Sequence, residues 1–408
     1  MAVVIIGTLD TKSEELGFAR DVIKAQGVDV HIVDVGVMGD PVFEPDTSAS
    51  EVAEAAGTTL DHLRDNADRG EAMEAMSDGA AAVAEGLHDE GVLDGVLGLG
   101  GSGNTSIATA AMRALPVGVP KLMVSTMASG DTEPYVGSRD IAMLYSVADI
   151  EGLNQLSRQV IANAALAMVG MVANEPDVEV EDRPTIGMTM FGVTTPCVQT
   201  ARKILESKGY ETIVFHATGT GGKAMESLIE EGIIDGVLDV TTTEWADELV
   251  GGVLSAGPER LDAAGKAGIP QVVSTGALDM VNFGPRESVP EEFAGRQFHV
   301  HNPQVTLMRT TPEENAELGE IIANKLNAAT GPTALVLPMA GVSMIDVEGE
   351  DFYDPEADAA LFDALREHLD SDVEVVEMDT DINDEAFAET LAETLDAYMR
   401  EAGLGPKA

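Results

Sequence analysis

Short apolar runs rich in β-branched residues alternate along this chain with longer segments whose apolar positions recur every three or four residues. An opening set follows the order AVVIIG, SEELGFARDVIKAQG, VDVHIVDVG, and a later set the order GVLDGVLGLG, NTSIATAAMRAL, PKLMVST. Strands that alternate with helices usually pair as parallel strands joined by crossover helices. The pattern therefore predicts an α/β fold of the doubly wound type, with mainly parallel sheets.

The second half of the chain repeats the order of the first. LHDEGVLDGVLGLGGSG in the first half corresponds to LIEEGIIDGVLDVTTTE in the second, and the apolar runs that follow also correspond. We therefore expect two tandem Rossmann-like lobes related by internal duplication, residues 1–178 and 179–408, with the acidic stretch 174–184 as linker. The first lobe carries an additional helix-rich insertion near residues 40–80.

The net charge of the chain limits which classes of partner this protein can bind. The sequence has 72 acidic residues against 23 basic ones, a net charge of −49, while 44% of its residues are hydrophobic. Acidity spread over a foldable chain is typical of a halophilic protein from a high-salt cytoplasm, where salt screens the repulsion. It argues against a nucleic-acid partner, which needs a basic face.

The cysteine content and the first residues of the sequence indicate the cellular compartment that we expect for this protein. A single cysteine excludes an internal disulfide framework and a multi-cysteine zinc site. The opening MAVVIIGTLD predicts a strand rather than a signal peptide, and we expect no stretch of membrane-span length. These features favour a cytoplasmic protein without a membrane partner.

A glycine-rich turn follows the run GVLGLG. Its residues would present backbone N–H groups at a helix N-terminus, where an anion is favoured: Gly100, Gly101, Ser102, Gly103, Asn104 and Thr105. The repeat has TTTE in the corresponding place, so the fold itself does not demand glycine there. We predict a phosphate-binding loop, with closer packing in this lobe as the alternative. A dinucleotide fits poorly, because the loop follows the third strand and Lys121 stands where an acid is expected.

Two further loops of the first lobe are candidates for the same ligand. The loop after the first strand contributes Thr8, Asp10, Thr11 and Lys12. A lysine in the first turn of a helix opposes the helix dipole, so a bound anion would compensate it; Asp10 or Thr11 as a helix N-cap is the alternative. The loop after the fourth strand contributes Ser129, Gly130 and Asp131, and its alternative is a plain solvent-facing loop.

The second lobe offers candidates for chemistry. The segment HATGTGGKA departs from a Walker motif, but its glycines before Lys223 suit an anion nest, and His216 ends the preceding strand as a candidate acid or base. Arg309 is a candidate anion ligand because free cations are scarce in this chain. Just after it, Thr311 and Glu314 predict a capping box that starts a helix.

Two further features of the second lobe favour structural interpretations. Cys197 lies in a predicted first helical turn, which would suit a nucleophile, but a small buried apolar residue is favoured. His299 and His301 alternate on an extended segment, but no further metal ligands follow, so no metal site is predicted. The polar loop STGALDMVNFG, with Asp279 and Asn282, corresponds to the Ser129–Asp131 loop of the first lobe.

Several motifs together resemble one known family. They are GTLDTK, GLGGSGNTSIATAAMRALPVGVPK, VSTMASGD, GMTMFGVTTPC, FHATGTGGKAMESLIEEG and HNPQVTLMRTTPEEN. The chain resembles, over nearly its whole length, the family of the nucleotide-binding N-terminal domain of the tomato mosaic virus resistance protein, many members of which are stand-alone prokaryotic proteins. The resemblance implies two Rossmann-like lobes, ATP binding and self-association.

These observations lead to one expected function and two alternatives. We expect an ATP-binding protein whose ligand lies in or near the cleft between the lobes, with the phosphates on the glycine-rich turn and Mg²⁺ on Asp10 or Asp131. Whether ATP is cleaved stays open, and His216, Lys223 and Arg309 would face any chemistry. The alternatives are a metabolic enzyme for a small phosphorylated or carboxylated substrate and a non-catalytic ligand sensor or scaffold. The apolar helix at 154–173 favours a homodimer or higher homo-oligomer.

Overall fold

The apolar runs of the first half form one parallel sheet. In the computed structural model, which describes residues 1–174 and 183–407, the chain divides into two units within Met1–Glu179 and Val180–Ala408. The strands of unit 1 are β1 (Ala2–Gly7), β2 (Asp29–Asp34), β3 (Gly95–Gly100), β4 (Lys121–Ser125) and β5 (Ala142–Tyr145). Its helices are α1 (Ser13–Lys24), α2 (Ala49–Ala55), α3 (Leu60–Asn66), α4 (Arg69–Asp89), α5 (Ser102–Ala114), α6 (Glu133–Val136) and α7 (Gln155–Ala173).

The strands of unit 1 lie in the order β2-β1-β3-β4-β5, and each neighbouring pair is parallel. Helices cover both faces: α2, α4 and α5 contribute to one apolar core, and α1 and α7 to the other. Burial on both sides explains why β1, β3 and β4 read as continuous apolar runs. The strand order reverses between β1 and β3, which is where open α/β sheets bind their ligands.

The predicted insertion lies between β2 and β3 and consists of α2, α3 and α4. Each begins at a residue whose side chain accepts a backbone N–H of the first turn: Ser48, Thr59 and Asp68. At Ser48 the capping box is completed by Glu51. These caps fix where each short helix starts, and hence which residues face the end of the sheet.

The expectation that no stretch reaches membrane-span length is wrong for α7. This helix has 19 residues with a mean hydropathy of 1.4, so by length and composition it could cross a bilayer. It packs, however, with Ile161, Ala164 and Met168 buried in the core of unit 1. A core helix passes the same test, so the evidence for a membrane span is weak.

Unit 2 repeats the topology of unit 1 and extends it. Its main-sheet strands are β6 (Thr185–Met190), β7 (Glu211–His216), β8 (Gly236–Thr241), β9 (Gln271–Gly276), β13 (Thr333–Pro338) and β14 (Glu374–Met378). They lie in the order β14-β13-β9-β8-β6-β7, all parallel, so β7-β6-β8-β9 repeats β2-β1-β3-β4. The predicted α/β class with two Rossmann-like lobes is confirmed.

A small antiparallel sheet supplements the main sheet of unit 2. It pairs β12 (Val305–Arg309) with β10 (Met280–Phe283) on one side and β11 (Phe298–Asn302) on the other. The helices of unit 2 are α8 (Thr195–Lys208), α9 (Thr220–Glu230), α10 (Glu244–Val250), α11 (Ala263–Ala267), α12 (Pro312–Asn327), α13 (Pro355–His368) and α14 (Glu385–Glu401). The predicted capping box of Thr311 and Glu314 starts α12. The predicted linker lies largely outside the described residues.

Candidate functional site

A cavity of about 780 Å³ opens at the carboxyl ends of β1 and β3, where the strand order of unit 1 reverses. It brings together two of the loops that the sequence analysis singled out. Nine of the predicted ligand-binding residues line it: Thr8, Asp10, Thr11, Lys12, Gly100, Gly101, Ser102, Gly103 and Asn104. Parallel strands end at the same edge of a sheet, which is why loops far apart in sequence meet here.

The glycines of the turn have two different reasons to be glycine. A Cβ at Gly98 or Gly100 would come within 2.7 Å of a side-chain carbon of α5, so these two positions allow the helix to pack closely on its strand. At Gly101 and Gly103 the nearest atoms would lie 3.8 and 3.7 Å from a Cβ, which is ordinary van der Waals contact. The packing explanation therefore covers Gly98 and Gly100, whereas Gly101 and Gly103 would accommodate a Cβ and line the cavity.

Two helices start at the cavity without a side-chain cap. The N-cap of α5 is Gly101, and that of α1 is Lys12; within the described ranges the backbone N–H groups of neither helix start donate to an N-cap side chain. The alternative that Asp10 or Thr11 caps α1 is therefore wrong. Uncapped N–H groups and the positive ends of both helix dipoles favour an anion at this position.

Asp10 holds a neighbouring segment instead of a helix. Its Oδ2 accepts hydrogen bonds from the backbone N–H of Met38 at 2.9 Å and of Gly39 at 3.1 Å. Its Oδ1 is buried and has no hydrogen-bond partner among the residues that the structure describes. This second oxygen lies against Gly36, where a Cβ would come within 2.7 Å of it.

Asn104 leaves a second acceptor unused. Its Nδ2 donates to the carbonyl oxygens of Leu99 at 2.8 Å and Ile6 at 3.3 Å, which ties the start of α5 to both β3 and β1. This orientation turns the amide oxygen away from both carbonyls, and that Oδ1 has no partner within residues 1–174 and 183–407 although Asn104 is only 8% exposed. Buried side-chain oxygens normally accept a hydrogen bond, so the site holds two unmet acceptors.

Asp34, at the end of β2, was not predicted as a site residue, and its carboxylate holds the backbone of the β1–α1 loop. Its Oδ1 accepts from the backbone N–H of Leu9 and of Gly36, both at 2.9 Å. Burial raises the pKa of Asp34 above its ordinary value, and these two hydrogen bonds oppose that shift. An acid at the end of β2 was visible in the sequence, but its partner Leu9 belongs to another loop.

The insertion supplies cations and an apolar wall that the sequence analysis did not assign. Arg64 from α3 donates to the carbonyl oxygens of Val37 and Gly39 at 2.7 and 2.8 Å, and Arg69 from α4 also lines the cavity. The apolar side chains of the lining are those of Val35, Val37, Met38, Leu63, Met73, Met76 and Ile107. The lining therefore combines two helix starts with an apolar surface, and its charged side chains are three basic ones and three acidic ones: Lys12, Arg64, Arg69, Asp10, Asp68 and Asp149.

Four predicted residues of unit 1 lie outside the cavity lining. Thr105 is buried, with its hydroxyl 2.7 Å from that of Ser125 and donating to the carbonyl of Gly101, so it braces the turn. Ser129, Gly130 and Asp131 are exposed, and the carboxylate of Asp131 accepts the N–H of Glu133. Asp10 rather than Asp131 is thus the predicted Mg²⁺ ligand that faces the cavity.

Arg309 in unit 2 does not have the free guanidinium that the sequence analysis assumed. It is buried and paired with Asp346 at 3.1 Å and Asp358 at 2.8 Å. Burial alone would lower its pKa, but these two carboxylates and that of Asp279 raise it above the ordinary value. With its donors directed at protein acceptors, Arg309 stabilises the interior of unit 2 and has no donor directed outward.

The predicted anion nest of unit 2 already holds an anion, the carboxylate of Glu244. Its Oε1 accepts from the backbone N–H of Gly219 at 2.7 Å and of Gly222 at 3.0 Å, at the start of α9. Lys223 follows on α9 with an exposed side chain, and exposed His216 ends β7 and stacks on Phe191 at 5.5 Å between ring centroids.

The remaining candidates have structural surroundings. Cys197 is buried, and burial raises its pKa to about 12, which opposes a nucleophilic role. The Nδ1 of His299 lies 2.7 Å from a carboxylate oxygen of Asp351. Among the described residues there is no group of three or more histidine, cysteine or acidic side chains suited to hold a metal ion.

Comparison with known proteins gives a consistent set of relatives. Residues 1–177 match the N-terminal domain model of "Uncharacterised protein family (UPF0261)", and residues 183–399 match its C-terminal domain model. A UPF0261 protein of Clostridium tetani is 55% identical over 98% of this chain and 99% of its own length. The ToMV resistance protein Tm-1(GCR237) of Solanum lycopersicum is 43% identical over 96% of this chain, which corresponds to 55% of the tomato protein.

Solved structures resemble this chain only distantly. A UDP-N-acetylglucosamine 2-epimerase from Rickettsia bellii aligns with 67% of this chain and 78% of its own, at 10% identity and a TM-score of 0.23. A second such epimerase, from Listeria monocytogenes, aligns over the same shares at 11% identity and a TM-score of 0.24. Neither likeness bears on function.

Proposed function

This chain belongs to the UPF0261 family, and we propose that it is a nucleotide-binding protein whose ligand, ATP, occupies the cavity at the carboxyl ends of β1 and β3. The observation that carries the proposal is the pair of uncapped helix starts, α1 and α5, that line one cavity together with an apolar wall. A nucleotide has this same division into a charged chain of phosphates and a flat, largely apolar base.

The α5 start is the better place for the phosphates. Its first N–H groups and the positive end of the helix dipole favour an anion, and Gly101 leaves room for one to approach the backbone. Lys12, at the start of α1, has no ion-pair partner in the described part of the chain, so its charge is available to the same anion. Together these groups would neutralise a phosphate without moving any element of the sheet.

The apolar wall would hold the base. Methionine side chains are flexible and polarisable, so Met38 and Met73 can adapt to the face of an aromatic ring. A volume of about 780 Å³ falls within the roughly 300–1,000 Å³ typical of small-ligand sites. Size and polarity therefore both suit a nucleotide.

Asp10 and Asn104 suit a magnesium ion that accompanies the phosphates. Each has a buried oxygen without a partner among the described residues, and hard oxygen ligands are those that Mg²⁺ prefers. Mg²⁺ is usually held by one or two carboxylates together with phosphate oxygens and water. Asp10 would supply the carboxylate, and the ion would offset phosphate charge.

Calorimetric titration of MgATP in molar KCl tests this proposal on wild type and on Gly101→Ala. The new methyl group fits the fold but would enter the space of the phosphate, so we expect an affinity loss of roughly 10- to 100-fold, the effect of one or two charge-assisted hydrogen bonds. Gly86→Ala is the matched control, because Gly86 lies far along α4 with nothing within 4 Å of a Cβ. Circular dichroism verifies folding.

Two results would contradict the proposal. If wild type binds no nucleotide, a small phosphorylated or carboxylated metabolite becomes the better candidate ligand. If Gly101→Ala and Gly86→Ala bind ATP equally well, the phosphates do not lie at the α5 start.

A further inference from the structure

Arg69 is the first residue of α4 and lies beside the glycine-rich turn. The carboxylate of Asp68 caps α4 by accepting the N–H groups of Gly70 and Glu71 at 2.8 and 3.2 Å. This cap points Arg69 towards the start of α5, where its Nη2 lies 3.9 Å from the position of a Cβ at Gly103. A guanidinium on one helix start thus reaches the first turn of another.

Arg69 lacks, among the described residues, the kinds of partner that other exposed arginines have. Arg202 and Arg366 pair with Glu206 and Glu377, whereas Arg158 and Arg286 lie over aromatic rings. Arg69 has no hydrogen bond or ion pair within the described ranges, although the chain has 72 acidic residues and 23 basic ones. A cation in a first helical turn also opposes the helix dipole. Both facts indicate that Arg69 is placed for an external anion.

Arg69 is one of several positive groups around the same cavity. Lys12 marks the start of α1, Arg69 that of α4 and Gly101 that of α5, so three helix N-termini converge there. A single phosphate would engage the α5 start and Lys12. A second and a third phosphate of the same ligand would need further hydrogen-bond donors. The planar guanidinium of an arginine matches phosphate oxygens well.

We propose that Arg69 is a specificity-determining residue that binds the β- or γ-phosphate, so that the site selects nucleoside di- and triphosphates over monophosphates. This inference rests on the proposed nucleotide site and adds the ligand class that the site distinguishes. The insertion would thereby set specificity, while the loops of the sheet supply the common phosphate site. Because Arg69 has no partner among the described residues, its charge is available for this selection.

Calorimetric titration of wild type, Arg69→Ala and Arg69→Lys with ATP, ADP, AMP and pyrophosphate tests the inference. In Arg69→Ala we expect ATP and pyrophosphate to bind roughly 10- to 100-fold more weakly, the effect of losing one or two charge-assisted hydrogen bonds, whereas AMP changes by less than about 3-fold. Arg69→Lys should fall in between, because lysine keeps the charge but not the fork. Arg202→Ala removes an equal charge from an exposed pair in unit 2 and should change nothing.

The outcomes separate the two proposals. Equal losses for ATP and AMP in Arg69→Ala, or no loss for either, would overturn the role of Arg69 while leaving the nucleotide site intact. If wild type binds pyrophosphate but no nucleotide, and Arg69→Ala loses pyrophosphate, the proposed function fails and Arg69 remains an anion ligand. Binding of none of the four by wild type would overturn both.

Discussion

The turn after β3 in unit 1 and the turn after β8 in unit 2 occupy the same place in the repeated topology but carry opposite chemistry. GLGGSG in the first corresponds to DVTTTE in the second, so Gly98 aligns with Asp239 and Gly103 with Glu244. In unit 1 the turn borders a cavity lined by Lys12 and Arg69, which have no ion-pair partner among the described residues. In unit 2 the two acids bind Arg260, with Nε 2.7 Å from Glu244 and Nη1 2.5 Å from Asp239.

The same fold can therefore leave this position open to a ligand or occupy it with its own side chains. The Arg260 side chain is 1% exposed, and burial alone would lower its pKa, but the surrounding carboxylates hold the pKa well above its ordinary value. Glu244 also satisfies the α9 start, where a ligand anion would otherwise bind. In unit 2 a carboxylate of the protein therefore accepts the N–H groups at the start of α9. In unit 1 we propose that a ligand anion accepts those at the start of α5.

Replacing Arg260 by methionine should have the largest effect, because it leaves three carboxylates without their counter-ion, those of Asp239, Glu244 and Glu226. We expect the free energy of unfolding of unit 2 to fall by about 3–5 kcal/mol. Trp245 is the only tryptophan of the sequence and is buried in unit 2, so its fluorescence during urea unfolding reports on this unit.

The matched control for this substitution is Arg202→Met, which breaks an exposed pair with Glu206. Surface pairs contribute about 0–1 kcal/mol, so the control should unfold almost like wild type. Equal stability of the Arg260 and Arg202 variants would show that unit 2 does not depend on its internal ion cluster.

Replacing Lys12 by methionine should separate ligand binding from stability. We expect ATP to bind about 10-fold more weakly, since one charge-assisted contact is lost. The free energy of unfolding should rise by about 0.3–1 kcal/mol, because a cation is removed from the positive end of α1. Calorimetry and urea unfolding measure the two effects.

Lys24→Met at the opposite end of α1 is the control for Lys12, since a cation there complements the dipole. It should leave ATP binding unchanged and slightly lower the stability. A Lys12 variant that loses stability without losing ATP affinity would assign this lysine to the fold rather than to the ligand.

Cys197 should show the smallest effect, although GVTTPC in unit 2 places it where GTLDTK in unit 1 places Lys12. Burial raises its pKa to about 12, and only the thiolate reacts with disulfide reagents. The native thiol should therefore stay unlabelled as the pH rises through about 8.5, where an ordinary thiol ionises. Labelling with a chromogenic disulfide measures this.

Urea-unfolded protein provides the control, because its exposed cysteine should react fully under the same conditions. Cys197→Ala should bind ATP with an affinity within about 2-fold of wild type. Rapid labelling of the native protein would show that the α8 start is open, and the contrast between the first loops of the two units would weaken.

The sequence by itself determined the fold class and half of the candidate site. Alternation of apolar runs with helical segments fixed the parallel sheets, and the loops after β1 and β3 were identified from glycine, lysine and hydroxyl residues adjacent in sequence. The sequence did not reveal hydrogen-bond and ion-pair partners that lie far apart along the chain. Arg309 looked free because Asp346 and Asp358 lie far along the chain, and the α9 glycines looked empty because Glu244 belongs to the next helix.

Only the tertiary structure decided which charges stay unpaired. Arg69, which has no partner among the described residues, belongs to an insertion whose pattern indicates helices but not the edge of the sheet that they face. Arg64 in the same insertion pairs with Asp40 at 3.9 Å. The reason is physical: local propensity and hydrophobic period depend on neighbours along the chain, whereas an ion pair depends on distance in space and on burial. The same arginine stabilises the interior when carboxylates surround it and can bind a ligand when none is near.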